Sequence, residues 1–278
     1  MQKLLLSLVF IIGVSNFGFC QVNSVMTYNI KNDYSKDEVT KWDYRKSEMV
    51  DLLKYYAPDI LGTQEGLLHQ LTYLSDHLPH YSSIGVGRDD GKEKGEFCTI
   101  FYNHEKLTLE RDDTFWLSET GDIGSLSWDA AYTRICTYGL FTSKVDNEKF
   151  LVFNTHYDHI GVRARAKSSE LILNKIKEIN KNNYPVIIMG DFNAEPNEVP
   201  IKTIAEEYSI GSELVPDGVY GPVGSFTGFV KDVIVEKRID FVFIKGFDIL
   251  NYRHIDDKMK DNNYVSDHLP VYVELLIK

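Results

Sequence analysis

The residues most able to do chemistry stand in short clusters at the ends of apolar runs. Gly190-Asp191-Phe192-Asn193 follows Val186-Ile187-Ile188-Met189 and sets a carboxylate and an amide two residues apart. Such a pair can hold a water and a phosphate oxygen side by side, or can close an Asx-type turn between a strand and a helix. An EF-hand calcium loop is excluded, because Pro196 stands where that loop needs its glycine. In Ser266-Asp267-His268 an aspartate adjoins a histidine. That arrangement can fix the imidazole tautomer and raise its basicity, or can merely form a turn before Pro270. Glu65, after Ile60-Leu61-Gly62-Thr63-Gln64, is a carboxylate next to the core. If no salt bridge meets it there, a metal ion is its natural partner, since an unpaired buried charge is expensive.

Asn154-Thr155-His156-Tyr157-Asp158-His159 offers two histidines and an aspartate, which are zinc ligands by type. On an extended strand, however, His156 and His159 project to opposite faces. No further ligand stands nearby, so His156 reads as a phosphate-contacting residue. The chain has no Gly-x-x-x-x-Gly-Lys loop, no Gly-x-Ser-x-Gly elbow and no dinucleotide fingerprint. Kinases, serine hydrolases and nicotinamide enzymes are thereby set aside.

The elements that must carry these clusters follow from periodicity. Residues 25–30 and 59–64 read as strands around an amphipathic helix over 44–56, where Met49, Leu52, Leu53 and Tyr56 share a face. Pro58 closes that helix. A second helix is expected over 67–78, then strands over 81–86, 97–103, 107–117, 132–141 and 150–156. Residues 163–179 read as a third helix, 185–190 as a fully buried strand, and 239–244 and 270–277 as closing strands. Asn29, Gln64-Glu65, His156 and Asp191–Asn193 then sit at strand ends, Asp240 opens a strand and Asp267-His268 precede the last one. Loops at strand ends on a rigid scaffold are where sites are built.

The first twenty residues read as a secretory leader rather than as part of the fold. Lys3 precedes an apolar run over residues 4–14, and Gly18 and Cys20 are small residues positioned for cleavage after Cys20. Phe19 stands where a lipid-attachment box wants a small residue, and no segment is long enough for a membrane span. Residues 21–278 are expected to form a single domain, exported to the periplasm or beyond. The chain of 278 residues is 43% hydrophobic and 26% charged, with a formal net charge of −11. That acidity argues against tight non-specific binding to long polyanions, which depends on lysine and arginine. It leaves room for a small phosphorylated substrate. Cys98 and Cys136 lie in strand-like stretches, 97–102 and 135–141, that could pair; export would permit a disulfide, with two buried thiols as the alternative.

Taken in order, Tyr28-Asn29, Gln64-Glu65, Asn154-Thr155-His156, Gly190-Asp191-Phe192-Asn193, Arg238-Ile239-Asp240 and Ser266-Asp267-His268 resemble the endonuclease/exonuclease/phosphatase superfamily. That superfamily includes deoxyribonucleases, apurinic endonucleases, poly(A)-shortening exonucleases, sphingomyelinases and inositol polyphosphate phosphatases. The resemblance implies an α/β (α+β) four-layer sandwich: two mixed β-sheets packed face to face, flanked by helices, with the site at one edge. It implies Mg²⁺, with Mn²⁺ as a substitute, held by Glu65 with Asn29 and Asp267 close to the metal's water shell. Asp191 would orient or deprotonate the attacking water. Asn193 and His156 would stabilise the pentavalent phosphorus, and Asp240 and His268 would neutralise or position the phosphate, with no covalent enzyme intermediate.

Trp116 and Trp128 resemble segments of a bacterial and fungal subgroup, and Trp128 is a candidate to stack on a base or sugar. Arg134, Arg163 and Arg165 are candidates to grip substrate phosphate. Trp42 and Arg45 are expected to brace the loop after Asn29. The inositol 5-phosphatase pattern is departed from at Met189 and at Arg238-Ile239-Asp240-Phe241. No convincing membrane-binding hairpin stands out, although the small apolar segment 221–230 could serve. The motifs sit closest to the nuclease side. A phosphodiesterase acting on short or single-stranded nucleic acid, or another small phosphodiester, is therefore the expected enzyme, with no protein partner. A phosphomonoesterase acting on a sugar or lipid phosphate, and a non-catalytic binding protein on the same scaffold, are the alternatives.

Overall fold

The computed structural model describes residues 23–215 and 218–278; the expected leader lies outside them. In chain order the elements are β1 (Asn23–Asn29), α1 (Trp42–Tyr56), β2 (Ile60–Gly66), α2 (Leu68–His77), β3 (Tyr81–Ile84), β4 (Phe97–Asn103), β5 (Leu107–Trp116) and β6 (Ile135–Ser143). They continue as β7 (Lys149–His156), α3 (Val162–Ile179), β8 (Val186–Asp191), α4 (Val199–Ala205), β9 (Ser209–Ile210), β10 (Asp240–Lys245), β11 (Phe247–His254) and β12 (Val271–Ile277). Two six-stranded mixed sheets result, in the orders β11-β12-β1-β2-β4-β3 and β5-β6-β7-β8-β10-β9.

Both faces of each sheet are buried, because successive side chains on a strand point to opposite faces. Val25, Ile60 and Val273 of the first sheet meet Val152, Ile187 and Val242 of the second in a core between the sheets. Their neighbours Met26, Tyr28 and Leu61 face outward onto Met49 and Leu53 of α1 and Leu71 and Leu74 of α2. On the other side Phe153, Ile188 and Phe243 pack on Ile172 and Ile176 of α3 and Ile201 and Ile204 of α4. Three apolar interfaces thus hold four layers, each fully buried aliphatic or aromatic side chain contributing roughly 1.5–3 kcal/mol. No helix among the described residues is long and apolar enough to cross a membrane.

The topology also decides where the site can be. β1 and β2 are parallel, as are β7 and β8, and each pair is joined by a helical crossover. Parallel strands finish at the same end, so Asn29 lies opposite Gln64 and His156 opposite Asp191. Antiparallel β10 begins at that end, with Asp240 facing Asp191. Antiparallel β12 begins there too, pairing Val271 with Thr27, so Asp267 and His268 enter beside Asn29.

The structure adds α4, β9 and β11 to the elements read from sequence. The first two are too short to show a period. In β11 a register shift between Ile249 and Asn251 breaks the alternation that would have marked it. Cys98 and Cys136 are both free and buried. Their strands, β4 and β6, belong to different sheets, so the expected pairing of those stretches is replaced by packing across the sandwich.

Candidate active site

Local backbone geometry aims the side chains at the common strand end. Between Thr63 and Gly66 the β2–β4 register shifts, and Glu65 takes φ +63°. A bulge of this kind re-aims a side chain. Gln64 points between the sheets, donating to Thr27 Oγ1 at 3.0 Å and Asn154 Oδ1 at 2.7 Å, whereas Glu65 turns into the cleft. Asn193 (φ +47°) is likewise left-handed, and its N–H donates to Asp191 Oδ1 at 2.9 Å. The Asx-type turn and the site are therefore the same feature. Non-glycine residues in this region are strained by about 1–3 kcal/mol each and cluster at functional sites. At Gly190 (φ +149°) an added Cβ would stand 2.0 Å from the Thr155 carbonyl, so only glycine lets β7 and β8 close up behind His156 and Asp191.

These elements bound a cleft of about 510 Å³ that Glu65, His156, Asp191, Asn193, Asp267 and His268 all line. Asn29 is fully buried behind these residues and ties the two sheets together. Its amide nitrogen lies 3.1 Å from Glu65 Oε1 and 3.0 Å from Asp191 Oδ2. On one side His268 Nδ1 meets Asp240 Oδ2 at 2.8 Å, and Nε2 lies 3.7 Å from Asp191 Oδ2. Asp240 is fixed in turn by the Ser225 hydroxyl at 2.6 Å. Burial works against a charge on His268, but Asp240 and Asp191 outweigh it and push the imidazole up to about 10. Burial lifts the Asp191 carboxyl to about 7; the His268 cation opposes that shift and the Asp240 carboxylate reinforces it.

On the other side, Arg134 Nη1 donates to His156 Nδ1 at 2.8 Å. Burial, with Arg134 and Arg88 adjacent, holds His156 well below the ordinary imidazole range, so it is neutral. Because Nδ1 accepts from a guanidinium, the proton must sit on Nε2. Nε2 lies 3.1 Å from the Asn193 amide nitrogen and 3.4 Å from Asp191 Oδ2. Two donors that cannot bond to each other are thus presented together to an acceptor in the cleft.

Two groups of ligating atoms could hold a divalent cation. Asp191, Asp240 and His268 converge within 4.8 Å. There the buried imidazolium already supplies the positive charge, and its Nδ1 is engaged by Asp240. Glu65 and Asp267 supply the hard carboxylate oxygens of the other group, and Asn29 joins it by donating its amide to Glu65 while its oxygen accepts from the Lys31 N–H. Lys31 Nζ stands between the two carboxylates, 3.4 Å from Glu65 Oε2 and 3.3 Å from Asp267 Oδ2. A pair that gathers a cation from its own chain is electrostatically fitted to take one from solution, and this second group suits Mg²⁺ chemistry better.

Not every sequence candidate reaches the cleft. Arg134 does, but Trp128 lines a separate hollow with Ser118, Lys167 and Glu170. Arg163 is exposed at the start of α3, and Arg165 is spent on the Asp158 carbonyl at 3.1 Å and Glu198 at 3.5 Å. Asp158 accepts four backbone N–H groups, from Ala131, Tyr132, Ile160 and Gly161, and so shapes the loop that carries Tyr132 and Arg134. His156 and His159 both turn to Arg134 rather than to opposite faces, because the strand ends at His156. Arg45 braces the loop after Asn29 as expected, donating to the carbonyls of Ile30, Lys31, Thr40 and Val265. The segment 221–230 packs on the site: Phe226 meets the His268 ring edge-on at 5.0 Å, and Thr227 N–H donates to the Asp267 carbonyl.

Lys31, Asn32, Arg88, Glu96, Tyr132 and Lys237 were missed as cleft residues. Only the Arg-Asp-Asp-Gly run at residues 88–91 carried a local signal, that of a turn. With Asp240→Asn the imidazole loses its main charge partner, so the alkaline limb of the pH–rate profile should move from about 10 toward the ordinary imidazole value of about 6.5. A limb that stays put would remove His268 from that role.

Comparison with known proteins agrees with this fold. The family model described as "Endonuclease/Exonuclease/phosphatase family" matches residues 26–268. A solved member of that family from Bacteroides thetaiotaomicron is 36% identical, with TM-score 0.88, over 93% of this chain and 98% of that one. A mannosyl-6-phosphatase from Bacteroides thetaiotaomicron VPI-5482 is 37% identical, with TM-score 0.87, over 92% and 100% of the two chains. A probable RNA exonuclease of Saccharomyces cerevisiae is 29% identical over 66% of this chain, which spans only 39% of that protein's length. On the match across nearly all its described length, the chain belongs to the endonuclease/exonuclease/phosphatase family.

Proposed function

We propose that this chain is a divalent-metal-dependent phosphatase that removes a phosphoryl group from a small hydroxyl-rich compound, a sugar phosphate, by direct attack of water. The observation that carries the substrate class is the wall opposite the acid–base group. Arg88 and Glu96 pair across the neck of a hairpin loop and line the cleft, with side chains 12% and 10% exposed. Asn32 links that wall to the site, donating from one amide to Glu65 Oε2 at 2.7 Å and to Glu96 Oε1 at 3.2 Å. A guanidinium can donate to one hydroxyl while the carboxylate beside it accepts from the next, which is what vicinal diols need.

Three features agree. A cleft of about 510 Å³ suits a small molecule. A net charge of −11 suits a long polynucleotide poorly. A full-length relative carries the name mannosyl-6-phosphatase. The diesterase reading has the relative named a probable RNA exonuclease and a structural observation in its favour: Tyr34 and Tyr132, 64% and 51% exposed, stand at the cleft as stacking surfaces for a base. The apolar leader supports action outside the cytoplasm by residues 21–278 as one unit.

In this mechanism Asp191 takes a proton from the water that attacks phosphorus, and the ester oxygen leaves from the opposite side. His156 Nε2 and the Asn193 amide donate to the oxygens that gain charge. His268, kept cationic by Asp240, neutralises the phosphoryl group. Held by Asn29, Glu65 and Asp267, Mg²⁺ or Mn²⁺ would supply Lewis-acid charge neutralisation.

Hydrolysis of p-nitrophenyl phosphate, bis-p-nitrophenyl phosphate and mannose 6-phosphate separates the readings. The monoesters should be cleaved and the diester spared; the reverse would establish the diesterase, and silence on all three with metal binding intact would leave a binding protein. Glu96→Gln should lower kcat/KM on mannose 6-phosphate by roughly 10- to 100-fold, a lost charged hydrogen bond. It should leave p-nitrophenyl phosphate, which has no such hydroxyls, within about twofold. Equal losses on both would make Glu96 a structural brace.

A further inference from the structure

Lys31 occupies the middle of the group fitted to the metal, and only its side chain is adjustable. The backbone is left-handed (φ +57°), its carbonyl accepts from Arg45 Nη2 at 2.6 Å and Gln70 Nε2 at 2.9 Å, and its N–H donates to Asn29 Oδ1 at 3.1 Å. From this anchor the side chain, 31% exposed, lies along the cleft and bridges Glu65 and Asp267. Magnesium–oxygen bonds are about 2.0–2.1 Å long. An ion bonded to Glu65 would therefore crowd an ammonium placed 3.4 Å from the same carboxylate, and two cations so close repel strongly away from bulk water.

We infer that Lys31 is an exchangeable counter-cation: its ammonium neutralises Glu65 and Asp267, yields that position to the divalent ion, and then grips an anionic oxygen of the phosphate in the cleft. Rotation about the lysine stem suffices, and the cleft is the open side. Without the ammonium, two nearly buried carboxylates would lose the cation that bridges them. The exchange also couples the two ligands. Metal alone must displace Lys31 from two carboxylates, whereas metal with phosphate gives the ammonium a new anion. Each ligand should then tighten the other, as linkage requires. This role rests on the metal site proposed above and is independent of the substrate's sugar part.

Calorimetric titration with Mn²⁺, and then with inorganic phosphate, tests it on the wild type, Lys31→Met, Lys31→Gln and Glu65→Ala. In both Lys31 variants Mn²⁺ should bind roughly tenfold tighter or better, and the metal-loaded variants should bind phosphate roughly tenfold more weakly. The mutual enhancement expected of the wild type should fall by a similar factor. Unchanged or weaker Mn²⁺ binding in both Lys31 variants would overturn the exchange and leave Lys31 a static brace. If Glu65→Ala binds Mn²⁺ as the wild type does, the metal site itself is misplaced, and the role assigned to Lys31 falls with it. Melting curves check that each variant is folded, and the glutamine variant serves if methionine is not tolerated.

Discussion

Asp191→Asn is expected to lower kcat by roughly 1,000- to 10,000-fold, the upper range for loss of a positioned general base, while the protein stays folded. The substitution conserves shape. Asparagine keeps one oxygen to accept from the Asn193 N–H, exchanges the acceptor that meets the Asn29 amide for a second N–H group, and cannot take a proton from water. The sign of the stability change follows from the same carboxyl. Its pKa rises from 3.8 to about 7 on folding, so the folded state holds this proton more tightly. Ionisation therefore costs stability as pH climbs through that window, so the melting temperature of the neutral amide variant relative to the wild type should rise between about pH 5 and pH 8. A catalytic group that the fold would be steadier without is the usual mark of an active site. His268→Ala should lose a comparable factor. The double variant should lose little beyond either single one, because both act on one phosphoryl transfer. Single-turnover rates with p-nitrophenyl phosphate, set beside melting curves, measure both effects. Near wild-type rates in folded single variants would show that the base lies elsewhere.

Removing the divalent ion should be at least as damaging. Excess chelator is expected to reduce turnover by roughly 1,000-fold or more, with recovery on adding Mg²⁺ or Mn²⁺. Glu65→Ala should reproduce that loss at any metal concentration in reach. Glu65 is held in place independently of any ion. Asn32 donates to it from both its backbone, at 3.2 Å, and its side chain, at 2.7 Å, and Asn29 donates at 3.1 Å. Burial disfavours its charge, yet Lys31 and Asn29 outweigh that and keep its pKa below the ordinary glutamate value. The carboxylate is thus ionised and preorganised as a ligand. Glu65→Gln keeps the shape and removes the charge; its turnover should stay within a few-fold of Glu65→Ala. Robust turnover in excess chelator would sink the metal-dependent mechanism. A Glu65→Gln variant as active as the wild type would shift the metal to the Asp191, Asp240 and His268 group.

Much of the architecture is legible in the chain, and the parts that are not have identifiable causes. Periodicity locates α1, α3 and most strands because both faces of each sheet and one face of each helix must be apolar. It misses α4, whose seven residues span barely two turns, and β11, where a bulge interrupts the alternation. Isolated polar clusters carry enough type and order to mark Asp191, Asn193, Asp267 and His268 as site candidates. Trp128 carries the same kind of signal and lies outside the cleft, because a left-handed turn at φ +57° places it in the hollow beside Lys167 and Glu170.

By itself the sequence determined the apolar strands, the polar groups at their ends and the ordered motifs whose resemblance to the family implied the four-layer sandwich, because strands and motifs depend on residue type and local spacing. Only the tertiary structure decided which of them share a site. Glu65 faces the cleft because β2 bulges against β4. Asp240 meets His268 because two antiparallel strands, from different sheets, start at the same end as Asn29 and Asp191. Arg88, Glu96 and Tyr132 reach the cleft through loops whose course is set by contacts with segments distant in the chain. The division has one physical cause. Periodicity and turn chemistry are local, whereas register between strands and the return of a loop onto a cleft are set by packing across the whole sandwich.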